Sequence, residues 1–136
     1  MATQIFVNLP VKDLEKSKAF FSALGFGFDA NFTNEQGACL VIGENIYAML
    51  LVEDFFRSFI KKDIADASKT TEVINAFSVE SKDKVNEIAD KALAAGAFLY
   101  SEPQDYGWMY SRAFQDLDGH LWEVMFSDPS KMTDVQ

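Results

Sequence analysis

The chain has 136 residues, with 21 acidic side chains against 12 basic ones, for a net charge of −9; it is 49% hydrophobic and contains 13 phenylalanines. That acidic balance argues against nucleic acid, which needs a basic face to displace counterions. No apolar run approaches the roughly 20 residues of a membrane span, and the single cysteine, Cys39, rules out a disulfide framework within the chain. With no signal peptide following Met1-Ala-Thr-Gln, a soluble cytoplasmic protein is expected, one domain long enough to bury a core without disulfide or structural metal.

Ile5-Phe6-Val7-Asn8-Leu9-Pro10-Val11 is β-branched and aromatic, as a strand requires. Pro10 has no N–H to donate, so the strand frays there or lies at a sheet edge. Asp13 is placed to cap a helix whose apolar face is Leu14, Ser17, Phe20, Phe21 and Leu24, and Gly25 supplies a left-handed stop. Strands are expected at Phe26–Ala30, Ala38–Ile42 and Ile46–Val52, with a turn at Gly43-Glu44-Asn45. The order is β, α, β, β, β.

The same order then returns. Val73–Val79 reads as a strand, followed by a helix capped by Ser81 with Val85, Ile88, Ala89, Ala92 and Leu93 on its apolar face and Gly96 at its end. Three more strands are expected at Ala97–Tyr100, Tyr110–Gln115 and Leu121–Phe126, the last two joined by an Asp118-Gly119 hairpin turn. Val11 aligns with Val79, an offset of 68, and Asp54 with Asp128, an offset of 74. The reading is one domain over 1–136, made of module 1–54 and module 72–128. The linker, 55–71, opens on a short amphipathic helix at Asp54–Ile60.

Two stretches carry a family resemblance: Val7-Asn8-Leu9-Pro10-Val11-Lys12-Asp13-Leu14-Glu15-Lys16-Ser17 with Phe20-Phe21-Ser22-Ala23-Leu24-Gly25-Phe26, and Phe114-Gln115-Asp116-Leu117-Asp118-Gly119-His120-Leu121-Trp122-Glu123-Val124. The chain resembles the vicinal oxygen chelate superfamily, which includes glyoxalase I, bleomycin-resistance proteins and extradiol dioxygenases. It is most similar to members described as lactoylglutathione lyase-like. The resemblance implies an α+β fold in which two tandem βαβββ modules form one open cup-shaped sheet. It also implies that metal-dependent members hold one divalent ion with four inward side chains, from the first and last strands of each module. That ion binds two substrate oxygens and stabilises an enediolate as a Lewis acid.

Carried over by the motif, the first-strand positions lie five residues before Val11 and Val79, at Phe6 and Ile74. The last-strand positions are Glu123, four residues after Gly119, and its first-module counterpart Met49. Phenyl and alkyl groups have no lone pair, and a thioether is a soft ligand. A transition-metal site needs roughly three or more N, O or S donors. No cofactor is therefore expected, although a divalent metal is usual among the metal-dependent relatives. The resemblance also implies a homodimer, to which the apolar Phe55, Phe56, Phe59 and Ile60 of the linker contribute.

Glu123 reads as a relic carboxylate, hydrated at the mouth of the cup or paired with a base such as Arg112, or as an acid set in an apolar cup to serve as a base or to anchor a cation. By strand alternation Asn8 joins Phe6, and Tyr47 joins Met49, where each can offer hydrogen bonds to a ligand or satisfy local backbone. Trp108, Tyr110 and Arg112, with Tyr106 and Met109, either border the pocket mouth or pack in the core. Trp122 alternates away from Glu123, into the sheet–helix core. His120 reads as an exposed or capping histidine, Cys39 as a small buried hydrophobe. Asp116-Leu117-Asp118-Gly119 resembles a calcium loop but lacks the later ligands.

Three functions fit these residues. The first is a metal-independent binding protein for a small organic molecule, with a cup lined by Phe6, Asn8, Tyr47, Met49, Ile74, Trp108, Tyr110, Arg112 and Glu123. The second is an enzyme, a glyoxalase-like lyase or isomerase or a dioxygenase relative, using Glu123 as its base. The third is an interaction module with a closed cup.

Overall fold

Apolar alternation and helix-capping chemistry set the first half of the chain in the computed structural model, which describes residues 2–132. Strand β1 (Ile5–Val11) leads to Asp13, whose carboxylate accepts from the Lys16 N–H at 3.1 Å and caps α1 (Leu14–Ala23). Leu14, Ser17, Phe20 and Phe21 are buried along one stripe of α1, and Leu24 at its end is 1% exposed. Gly25, at φ +103°, turns the chain out of the helix. Strands β2 (Gly27–Asp29), β3 (Gly37–Gly43) and β4 (Ile46–Val52) follow. The sheet order is β1-β4-β3-β2, with β1 parallel to β4 and the other pairs antiparallel. Pro10 sits on the edge strand β1, where its missing N–H is tolerated. Burial of the two phenylalanines and leucines of α1 against Leu9, Val11, Leu40 and Leu50 supplies roughly 1.5–3 kcal/mol per side chain.

The short helix expected at 54–60 is α2 (Glu53–Arg57), whose last turn continues through Ser58, Phe59 and Ile60 by backbone bonds to Phe55, Phe56 and Arg57. It packs on β1 and β4. The chain divides into two compact units, with the break between Thr70 and Thr71, so the stretch read as a linker, 55–71, belongs to the first unit in all but its last residue.

The second unit repeats the pattern with β5 (Ile74–Ser78), α3 (Lys82–Ala94), β6 (Gln104–Asp105), β7 (Met109–Gln115) and β8 (Leu121–Ser127), in the sheet order β5-β8-β7-β6. Ser81 caps α3 through the Lys84 N–H at 3.0 Å. Val85, Ile88, Ala89 and Ala92 are buried in the core with Phe114, Trp122 and Val124 of the sheet. Each unit is thus a βαβββ module with a four-stranded mixed sheet, in the α+β class expected. Among the described residues no helix is long and apolar enough to cross a membrane.

One strand departs from expectation. Ala97–Tyr100 makes a single bridge, Phe98 to Gln115, and ladder pairing resumes only at Gln104–Asp105. Six residues on this edge span four on β7, and Pro103 within the excess has no N–H for the ladder. Phe98 and Leu99 are 66% and 47% exposed, so burial does not hold the segment flat.

Candidate functional site

Each sheet buries one face and leaves the other partly open. In the first unit, register pairs Phe6 with Tyr47 and Asn8 with Met49, so these four share the face opposite the buried Leu9, Val11, Ala48 and Leu50. The Phe6 and Tyr47 rings stack at 4.9 Å and 13°. Gln4 donates its side-chain amide to the Tyr47 hydroxyl at 3.3 Å, and Asn8 donates Nδ2 to the Phe6 carbonyl at 3.2 Å. Met49 is half-buried and stands opposite Cys39. Burial, then the Asp29 charge, pushes the Cys39 thiol up, so it is a buried thiol and not a reactive thiolate. Beside this face Asn8, Leu51, Phe56, Phe59 and Ile60 line a groove of about 350 Å³.

In the second unit, Ile74 and Glu123 lie on the open face, as alternation implies. Glu123 on β8 is half-buried and is paired across the ladders with Ala76 on β5 and Ala113 on β7. Trp122 points the other way and is 2% exposed, in the sheet–helix core as expected. Among the described residues no lysine, arginine or histidine forms an ion pair with Glu123.

Tyr110 and Arg112 do not join Glu123. Arg112 is level with Val124 in the ladder and Glu123 with Ala113, which puts the two charges on opposite faces. Arg112 reaches α3 instead, donating NH1 to Asp90 at 2.7 Å and to Asn86 at 3.2 Å. The Tyr110 hydroxyl donates to the same Asn86 oxygen at 2.7 Å, and Lys82 Nζ lies 4.6 Å over the Tyr110 ring. These side chains hold α3 on the sheet. Trp108 is half-buried just before β7, where its carbonyl accepts from the Asp128 N–H at 2.7 Å. Tyr106 is 59% exposed and donates its hydroxyl to Gln104 at 2.8 Å.

Two residues of consequence escaped the sequence reading. Burial, then the Glu123 charge, raises the Tyr100 phenol above the ordinary range. The signal for it was the strand pattern at 97–100, whose alternation sends Phe98 and Tyr100 to one face. Asp116 is 4% exposed and organises the hairpin. Its carboxylate accepts from the N–H groups of Asp118 and His120 at 2.9 and 3.0 Å and from the Trp122 indole at 2.9 Å. Desolvation pushes its acid up, against the pull of His120 and these donors. Asp116 is therefore a hairpin anchor, and His120 contributes its backbone to it.

The donor chemistry does not fit a divalent ion at the four carried-over positions. The first unit offers a phenyl ring and a thioether, the second an alkyl group and one carboxylate. Among the described residues no group of three or more His, Cys, Asp or Glu lies together to hold an ion.

The fold is that of glyoxalase/bleomycin-resistance/dioxygenase proteins. A hypothetical protein of S. aureus superposes with a TM-score of 0.77 at 26% identity, over 93% of this chain and 95% of that one. A glyoxalase/bleomycin resistance protein/dioxygenase family enzyme of Burkholderia phytofirmans gives a TM-score of 0.75 at 17% identity, over 93% and 99%. The genomically encoded fosfomycin resistance protein FosX of Listeria monocytogenes gives 0.67 at 19% identity, over 96% and 98%. Residues 3–43 match the family described as bleomycin resistance protein-like N-terminal. No curated protein matches the sequence. The match over residues 3–43 covers the N-terminal motif from which the resemblance was drawn, and the fold is the one that resemblance implies.

Proposed function

We propose that this protein binds a small organic molecule against the open face of a module sheet, without a metal at Phe6, Met49, Ile74 and Glu123. The observation that carries the reading is the character of those positions. Phe6 and Ile74 are 42% and 54% exposed, so neither is needed to fill a core, and neither can ligate a cation. An open apolar surface with one carboxylate suits an organic ligand better than a chelated one. Asn8 and Tyr47 lie beside Phe6 and Met49 as polar groups that orient such a ligand. A cytoplasmic homodimer completes the reading; with a net charge of −9, nucleic acid and anionic membrane surfaces are unfavourable partners.

The test is native mass spectrometry together with metal analysis of protein purified without chelators. A co-purifying organic adduct, lost on denaturation, with only substoichiometric metal is the expected result. Stoichiometric nickel, zinc or iron that disappears in Glu123→Ala overturns it. The enzyme reading keeps one specific support, the half-buried Glu123, which forms no ion pair among the described residues and is available as a base. Metal-dependent formation of lactoylglutathione from methylglyoxal and glutathione would put that reading first.

A further inference from the structure

Glu123 is the one charged residue among the strand positions of its face, where its nearest neighbours are Ala76, Ala113, Leu121 and Met125. Both of its cross-strand neighbours are alanine, so no side chain walls the carboxylate within the sheet. Ala76, Glu123 and Ala113 form one row across the ladder. The edge beyond β7 touches it at a single antiparallel bridge, Phe98 to Gln115, so Tyr100, two residues past the bridge and without a ladder partner, lies toward the Ala113 end of that edge.

We propose that this row is a subsite for the ammonium end of an organic cation, with Glu123 as its counter-charge and the Tyr100 ring as its wall. The inference rests on the small-molecule reading above and names the ligand's chemical class. A half-buried carboxylate with no partner gains from a cation that brings its own apolar body. An alkylammonium needs one counter-charge and favours aromatic surroundings, whereas a divalent ion needs a donor set that is missing. The cations nearest along these elements are engaged elsewhere, Arg112 with Asp90 and Lys82 with Asp105. Ile74 and Phe98, 54% and 66% exposed, offer apolar contact on the same face for the rest of the ligand. After burial, the Glu123 charge helps raise the Tyr100 phenol.

The probes are 3-hydroxyphenyltrimethylammonium and 3-tert-butylphenol, alike in shape and different in charge, titrated by NMR at about 0.15 M salt, where distant surface charge is largely screened. The cation is expected to bind at least about ten-fold tighter than the neutral probe. Glu123→Gln should bring the two affinities together, with the circular dichroism spectrum and the neutral affinity unchanged. Glu123→Asp, which draws the charge back by one methylene, should reduce the preference in part. Tyr100→Leu should weaken the cation several-fold and the neutral probe less. Equal binding of both probes, or a preference that survives in Glu123→Gln, overturns the subsite and leaves the small-molecule reading standing. Binding of neither probe at millimolar concentration also overturns the subsite, while the co-purified adduct judges the broader reading separately.

Discussion

Removing the Asp116 carboxylate tests whether the second hairpin is held by a buried acid. In Asp116→Ala three donors lose their acceptor: the backbone N–H groups of Asp118 and His120 and the indole N–H of Trp122. A buried donor deprived of its partner costs about 1–3 kcal/mol. The indole lies in the core and bears that cost in full, whereas the two backbone groups are part-buried and can be wetted. Relief from burying a carboxylate offsets some of the loss, so a destabilisation of about 3 kcal/mol is expected. Asp116→Asn keeps one oxygen for the backbone pair but turns an NH₂ toward the indole N–H. It should cost about 1–2 kcal/mol, much of which Trp122→Phe should recover in the double variant. Urea unfolding with an unchanged m-value is the assay.

The pH dependence of the same residue has a definite sign. Its folded-state pKa lies above the unfolded value of about 3.9, so the folded protein holds the proton more tightly. The stability this contributes is present in full below the unfolded value and is lost as pH rises through the folded one. Wild type should therefore gain on Asp116→Asn as pH falls from neutrality toward 4. An Asp116→Ala variant within about 0.5 kcal/mol of wild type, or a wild-type advantage that shrinks on acidification, would refute the assignment.

Two further outcomes follow from the placements above. Arg112→Met should cost about 1.5–3 kcal/mol in unfolding free energy, because a side chain 14% exposed loses charge-assisted bonds to α3; a neutral effect would place Arg112 outside the α3 contact. The homodimer should appear by sedimentation at micromolar concentration and weaken in Phe59→Asp, since Phe59 is 66% exposed and stacks edge-on with Phe55 at 5.0 Å; a wild-type monomer refutes it.

The elements were legible because local chemistry and hydrophobic period agree in them. Asp13 and Ser81 cap the helices they precede, and the apolar stripe of α3 at Val85, Ile88, Ala89 and Ala92 is the buried one. The edge placement of β1 followed from Pro10 alone. Pairing across strands was harder to read. Placing Arg112 near Glu123 ignored that a two-residue period, counted from the ladder partner Val124, sends the guanidinium to the helix side. Ala97–Tyr100 has the composition of a strand, but an edge segment with two excess residues and a proline is set by its neighbour's register. The missing later ligands already spoke against a calcium loop at Asp116-Leu117-Asp118-Gly119, but the role of Asp116 was not legible, because the indole it accepts from lies six residues on and is brought back by the turn.

The duplicated module gives the site argument its force. Phe6 and Ile74 occupy equivalent slots on the first strand of each sheet, and both are exposed on the face away from the helix-side core. The fold asks nothing apolar of those slots, since truncating a side chain about half exposed forfeits only part of the 1.5–3 kcal/mol that full burial brings. Met49 and Glu123 are likewise equivalent on the last strands, and neither is fully buried. Chemistry at these four positions is therefore free of core packing: the first sheet presents a phenyl ring and a thioether, the second an alkyl group and an acid. Among the described strand positions of the second sheet's open face Glu123 is the only charge, which makes it the residue through which a ligand can be chosen by charge. Replacing Phe6 by Ser should then weaken ligand binding while shifting unfolding by less than about 1 kcal/mol. Binding and stability falling together by more than that would mean that Phe6 belongs to the core, and that the open face is an end of the sheet and not a site.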